Sequence, residues 1–253
     1  LSVDDIQNAS HADIKSFFAQ HYAVNNLILC VSGHIEFEKA VALTERWFVD
    51  FAPANIPVRN LPQEPVQTEQ RFMSVKREVP QNVLTMMYHM CGRCDADYQV
   101  CDMLSDVLSN GMSSRFYRNV LVKSGLFTEL DASVSGTYDP GLFIVRARLA
   151  DGVSFDKAKD AIDAELADFV RNGATAYEIE KCANKYESTR LFDMITYEKK
   201  GVKLCQYELL GDAADINKEV GKYRCITQDR LMNVAKNLLN PDNCSILYYG
   251  PDA

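Results

Sequence analysis

Four histidines, His11, His21, His34 and His89, set the first limit on the chemistry of this chain. A zincin helix needs two histidines four residues apart, so that both imidazoles leave one face and reach one metal. No two of the four have that spacing, which excludes H-E-x-x-H and its inverted form H-x-x-E-H from these 253 residues. A G-x-S-x-G nucleophile elbow, a phosphate-cradling G-x-x-x-x-G-K-[ST] loop and a G-x-G-x-x-G turn are also missing from the sequence. What remains is a cluster, His89-Met90-Cys91-Gly92-Arg93-Cys94, that reads either as a C-x-x-C redox pair or as three zinc ligands with Cys101 as a fourth. A redox C-x-x-C opens a helix in a parallel βαβ unit, where the helix N-terminus lowers the thiol pKa. Here a strand precedes it, and Asp95 and Asp97 stand where they would raise that pKa. The plainer reading is a strand-to-helix turn that carries two thiols. A second candidate is Ser113-Ser114-Arg115-Phe116-Tyr117-Arg118 after Asn110-Gly111. Serines and arginines at a helix start can hold an anion or a peptide carboxylate, although a capped helix with solvated arginines accounts for the same residues. Lys199, Lys200 and Lys203 are too few for an interaction patch.

These groups must be positioned by a core, and the composition supplies one. The chain is 47% hydrophobic and 25% charged, as expected of a soluble globular protein of one large or two small domains. Its net charge of −8 argues against a nucleic-acid groove or an anionic membrane surface, and no apolar run is long enough to span a bilayer. The eight cysteines fall largely in apolar runs such as Leu27 to Val31 and Cys244 to Leu247, and are expected to be reduced and buried, which favours a cytoplasmic setting. The chain opens Leu1-Ser2-Val3-Asp4-Asp5, without an initiator Met or a basic-then-apolar leader, so the natural N-terminus is expected to lie upstream.

Along the chain, Ser10 to Asp13 predicts a capped helix with Ile14, Phe17, Phe18 and Tyr22 at helical spacing. Asn25-Asn26 breaks it, Leu27 to Val31 reads as a short buried strand, and Ala40, Leu43, Trp47 and Phe48 make the stripe of a second helix. Four prolines between Pro53 and Pro65 then predict an extended linker. Strands are expected at 71–77 and 82–90, and helices at 96–109 and 113–124. A hairpin alternates Leu130, Ala132 and Val134 with Glu129, Asp131 and Ser133, then Phe143, Val145, Ala147 and Leu149 with Ile144, Arg146 and Arg148. A turn symmetric about Asp139-Pro140 would set Asp131 against Arg148, a pair worth about 0.2–1 kcal/mol. One apolar and one polar face imply a sheet covered by helices on one side. From 153 to 240 the pattern is helical, with a capping box at Thr175 to Glu178 and with Gly173, Gly201, Gly211 and Gly221 as punctuation; Cys244 to Gly250 is a closing strand.

Residues 9–33 also align without gaps onto 226–250. Ser10 meets Thr227, Ile14 meets Leu231, Asn25-Asn26 meets Asp242-Asn243, and Gly33 meets Gly250. The order of capped helix, Asn break, apolar strand and Gly is the same in both, which predicts the end of one module, a linker and a complete second module.

Four blocks carry a family resemblance. Phe17-Phe18 with His21-Tyr22-Ala23-Val24-Asn25-Asn26 and a run ending Ser32-Gly33 is similar to the late part of the catalytic half of M16 zinc peptidases, the insulinase, pitrilysin and mitochondrial-processing-peptidase group. Leu108-Ser109-Asn110-Gly111-Met112-Ser113-Ser114-Arg115-Phe116-Tyr117, Asp139-Pro140-Gly141-Leu142-Phe143 and Asn243 to Tyr249 resemble the second, zinc-free half. The resemblance implies an α+β fold, a mostly antiparallel sheet with helices on one face, preceded by the tail of a homologous module. It assigns 1–52 to the tail of the first half, 53–68 to the linker and 69–253 to the non-catalytic second half. It also implies that no cofactor is held by these residues, and that zinc is bound by an H-x-x-E-H region upstream of them. The implied role is to help form a chamber and bind peptide in a zinc metalloendopeptidase, in partnership with the catalytic half of the same chain or a homologous subunit. Active members often add an arginine and a tyrosine seven residues apart from the second half. The matching positions here are Leu121 and Thr128, so no catalytic residue carries over. Arg115, Arg118, Glu129, Asp131, Arg146 and Arg148 are the residues expected to touch peptide. A structural or partner-binding homologue without peptidase activity is the alternative.

Overall fold

Two capped helices open the computed structural model, which describes residues 2–58 and 60–253; Leu1 and Arg59, the latter inside the expected linker, lie outside the described residues. Helices α1 (Val3–Asn8) and α2 (His11–His21) each begin at a serine with a complete capping box. A 3-10 turn at Val24–Asn26 and α3 (Phe37–Phe48) follow. Next come β1 (Arg71–Lys76), β2 (Val83–Met90) and α4 (Tyr98–Ser109). A π-helical stretch, Phe116–Leu121, runs into α5 (Val122–Ser124), and then β3 (Phe127–Val134) and β4 (Gly141–Leu149) form the hairpin. Five further helices are α6 (Phe155–Asn172), α7 (Ala176–Asp193), α8 (Tyr197–Leu210), α9 (Glu219–Arg224) and α10 (Gln228–Leu238). A 3-10 turn at Pro241–Asn243 leads into β5 (Cys244–Gly250).

The chain divides into two units. The second, Pro65–Leu191 with Asn217–Ala253, holds a five-stranded sheet in the order β1-β5-β2-β4-β3. All pairings are antiparallel except β1 with β5. This is the α+β, mostly antiparallel architecture the sequence predicts. Period-2 alternation sends Leu84, Met86, Tyr88, Phe143, Val145, Ala147 and Leu149 to one face, where they meet Leu104 and Leu108 of α4, Ile162 and Phe169 of α6, and Leu231 and Ala235 of α10 in a single core. Each such Leu, Ile or Phe contributes roughly 1.5–3 kcal/mol by leaving water. The other face carries no helix stripe of this kind, and its residues are exposed or half-buried.

Three expectations are corrected. Asp131 stands opposite Arg146, not Arg148, whose partner is Glu129. The hairpin closes one residue earlier than Asp139-Pro140 symmetry requires, because the Leu142 amide donates to Ser135 Oγ (2.7 Å) and the Ser135 amide donates to Leu142 O (2.9 Å). Gly201 and Gly221 lie inside α8 and α9 and end nothing; Gly173 and Gly211 do cap helices. The third concerns Leu27 to Val31. It is extended but joins no ladder, and Leu27, Ile28, Leu29 and Val31 are exposed, with Cys30 half-buried. A strand is completed by its neighbours, and the first unit, Leu1–Glu64 with Phe192–Ile216, contains no second strand among the described residues.

Elsewhere the two segments match element by element, although only the first has a complete capping box. Helices α2 and α10 and the two 3-10 turns occupy matching positions. Asn26 Nδ2 donates to His21 O (2.8 Å), and Asn243 Nδ2 donates to Leu238 O (3.0 Å), so each asparagine ties off the helix before it. The copies diverge where a sheet is needed. Asn243 also donates to His89 O on β2, and β5 inserts between β1 and β2.

Candidate functional site

Alternation along the strands builds the open face of the sheet. Arg146 lies opposite Thr85 and Asp131; Ile144 lies opposite Met87 and Ser133; Thr85 lies opposite Leu247, which lies opposite Met73. The charged strip of the expected polar face, Glu129, Asp131, Arg146 and Arg148, lies along β3 and β4, while β2 and β5 add the uncharged Thr85 and Ser245. Toward β1 the surface becomes a field of half-buried or exposed Met73, Met87, Ile144, Leu247 and Tyr249. Period-2 reading of β2 and β5 would have found these residues, since Val83, Thr85 and Met87 alternate with the core positions.

Charge on this face is largely balanced. Arg148 Nε lies 2.9 Å from Glu129 Oε2. Burial, reinforced by the neighbouring Glu129, pushes the Asp131 carboxyl above its usual range despite the opposing Arg146.

The two arginines of the Ser-Ser-Arg block separate. Arg118 is exposed, whereas Arg115 is turned inward. Its Nε donates to Glu178 Oε1 (2.8 Å), one terminal nitrogen donates to Gly173 O (2.6 Å) and Glu178 Oε2 (2.9 Å), and the guanidinium stacks 4.8 Å from the Phe169 ring. Arg115 therefore joins the end of α6 to the start of α7 and is not presented to an anion. Burial opposes the Glu178 charge, but Arg115 and the Thr175 capping box win, and the carboxyl falls to about 2. Leu121 packs against the core, and Thr128 Oγ1 donates to Arg148 O.

The C-x-x-C turn holds a different pair from the one its spacing suggests. The free thiols of Cys91 and of Cys101 on α4 are neighbours, and a hydrogen bond between them holds Cys91 below and, with burial, Cys101 above the usual range. Cys94 is exposed. Among the described residues no three His, Cys, Asp or Glu side chains gather to hold a metal ion. The residues present do not fit the zinc implied by the family resemblance.

Beside this turn is a polar cluster that sequence reading missed. Arg93 donates to Glu219 (3.0 Å), which is 1% exposed and also receives Gln99 (3.3 Å). The Arg93 guanidinium lies 4.3 Å over Tyr98, the Tyr223 hydroxyl donates to Asp102, and the Tyr223 ring stacks on Tyr186 at 3.6 Å. Burial raises the Asp102 carboxyl against the Tyr223 hydrogen bond. The cluster rivets the turn, α4, α7 and α9 together, and its hydrogen bonds to Glu219 and Asp102 join residues more than a hundred positions apart.

Comparison with known proteins gives these features a setting. The family model described as the peptidase M16 inactive domain matches residues 8–186. An uncharacterized zinc protease of Streptomyces coelicolor is 24% identical over 94% of this chain and 53% of its own length. A protease from Helicobacter pylori superposes with a TM-score of 0.87 at 20% identity, over 98% of this chain and 61% of that one. A peptidase M16 inactive domain from Pseudomonas fluorescens gives 0.85 at 18% identity, over 99% and 60%. This chain spans about half the length of the curated relatives it matches. No helix among the described residues is long and apolar enough to cross a membrane.

Proposed function

Because the chain belongs to the peptidase M16 family, we propose that it is the non-catalytic, chamber-forming and peptide-binding portion of a zinc metalloendopeptidase. Residues 1–52 are the tail of the catalytic half, 53–68 the linker and 69–253 the second half. The observation that carries this reading is the unequal repeat. Residues 226–250 complete a sheet, whereas their counterparts 9–33 have the same caps and turns but no strands to pair with, and leave Phe17, Phe18, Leu27 and Leu29 in water. A module built to those rules is completed by strands from a catalytic half, whether in one chain or in a homologous subunit. Zinc held by an H-x-x-E-H region of that half would supply an activated water and Lewis-acid polarisation for peptide hydrolysis. The present chain contributes a wall: the apolar field around Met87 and Leu247 covers peptide side chains, and the strip Glu129, Asp131, Arg146 and Arg148, with the exposed Arg118 nearby in sequence, bounds it. The partner is thus a peptide together with the catalytic half.

The test compares the parent protein with the 253-residue chain on unfolded peptides, with and without a chelator. Chelator-sensitive cleavage by the parent and none by the chain is the expected result, and chelator-sensitive cleavage by the chain overturns the reading. A structural or partner-binding homologue is the second reading, favoured by Leu121 and Thr128 at positions where active relatives often carry arginine and tyrosine. A parent that holds zinc and cleaves peptide excludes it.

A further inference from the structure

Two thiols from distant parts of the sequence meet inside the first unit. Cys30 lies in the extended segment 27–32, and Cys205 lies in the middle of α8. The two thiols are within hydrogen-bonding contact of each other. Cys205 Sγ also lies 3.8 Å from Ile28 O. One turn earlier on α8, a side-chain carbon built on Gly201 would sit 3.7 Å from Cys30 Sγ and 3.8 Å from Ser32 Cβ, so the bare backbone there lets the segment lie close on the helix. Both cysteines line a cavity of about 870 Å³ and are half-buried, within reach of a small reagent.

Burial, with the neighbouring Cys205, pushes the Cys30 thiol up, so access and proximity rather than acidity single out this pair. Cys101, Cys182 and Cys244 are buried away from a reagent, and Cys94 and Cys225 are exposed. Cys91 has a neighbour in Cys101, but that partner is only 3% exposed and belongs to the core.

We propose that Cys30 and Cys205 are a redox couple, which a small disulfide of the oxidised-glutathione class closes into a bond that staples segment 27–32 to α8. One protein thiolate attacks a sulfur of the reagent, forms a mixed disulfide and releases one glutathione thiolate. The second protein thiolate then attacks the protein sulfur of that mixed disulfide and releases the other glutathione. Two protein thiols lose two electrons and two protons, and the reagent carries them away as two thiols. Closing from contact to a bond of about 2.05 Å requires a small shift of one partner. Segment 27–31 can make it, because no ladder hydrogen bonds hold it. The couple does not depend on the chamber reading. If both hold, oxidation fixes the segment on which the catalytic half completes its sheet.

The experiment incubates the reduced 253-residue chain with oxidised glutathione, blocks free thiols, digests without reductant and maps linked peptides by mass spectrometry. The expected product links Cys30 to Cys205, disappears after reduction, and is absent from Cys205→Ser and from Cys30→Ala, either of which serves if the other misfolds. The bond closes a loop of about 175 residues, so the thermal midpoint of the oxidised chain should rise by about 5 °C or more. That rise should be lost in either variant. Recovery of Cys30 and Cys205 as separately blocked or separately glutathionylated peptides overturns the proposal, as does equal linkage of either to other cysteines.

Discussion

Arg115 gathers the end of one helix and the start of the next around a single guanidinium, and the energy of that contact resides in Glu178 as much as in the arginine. The Glu178 carboxyl ordinarily titrates near 4.5 and here titrates at about 2. A depressed carboxyl contributes stability that is complete above about 4.5 and vanishes as the pH falls through about 2. Glu178→Gln should therefore cost about 1–2 kcal/mol near neutrality, after discounting for screening of a half-buried pair. The gap between variant and wild type should close between pH 4.5 and 2 in urea titrations; a gap that stays constant over that range contradicts the ion-pair account. Sequence reading placed Arg115 at a helix start, and left it either to an anion or peptide carboxylate or to solvent. It could not see that Glu178, 63 residues away, supplies the anion from within the chain.

Among the elements, β5 bears the tightest constraint. A side-chain carbon on Gly250 would lie 2.1 Å from Asn82 Oδ1 and 2.9 Å from Asn82 Cα, so the backbone leading into β2 would have to move. Gly250→Ala should destabilise the sheet by about 1–3 kcal/mol, measured as a lower urea midpoint with an unchanged slope. An unshifted midpoint would mean that this approach is loose. The strands themselves were legible, because alternating apolar positions specify which residues face a helix layer. Register was not, since a hydrogen bond from a turn serine decides it. The Leu27 to Val31 pattern was equally legible and still produced no strand. An apolar alternating run states a requirement for neighbours and cannot supply them.

At the scale of the molecule, the two units differ in how much they bury. Among the described residues of the first unit only Ala23 and Tyr207 are buried, whereas the second contains one continuous core of helix and sheet side chains. Local stability follows buried contact and hydrogen-bond protection. Hydrogen exchange should therefore find the amides of residues 27–31 open at nearly unstructured rates, with the central amides of β2 and β4 slowed by roughly a thousandfold or more. Equal protection in the two units would contradict this picture. The family resemblance was legible because caps, turns and the Ser-Ser-Arg and Asp-Pro-Gly blocks are local, but nothing local told that Phe192–Ile216 would group with the first unit. The Arg93, Glu219 and Asp102 cluster was invisible because the bonds that join Glu219 to Arg93 and Gln99, and Tyr223 to Asp102, span more than a hundred residues. The strand order has a further consequence for synthesis. β1 and β2 do not touch; β5, made about 150 residues later, lies between them. Until residue 250 has cleared the ribosome, β1 has no partner and β2 shows one bare edge. At ordinary translation rates that interval is about 10–30 s. During it the nascent chain offers two sticky strands to whatever passes, and a holding chaperone would be competing with the protein's own last strand for the same slot.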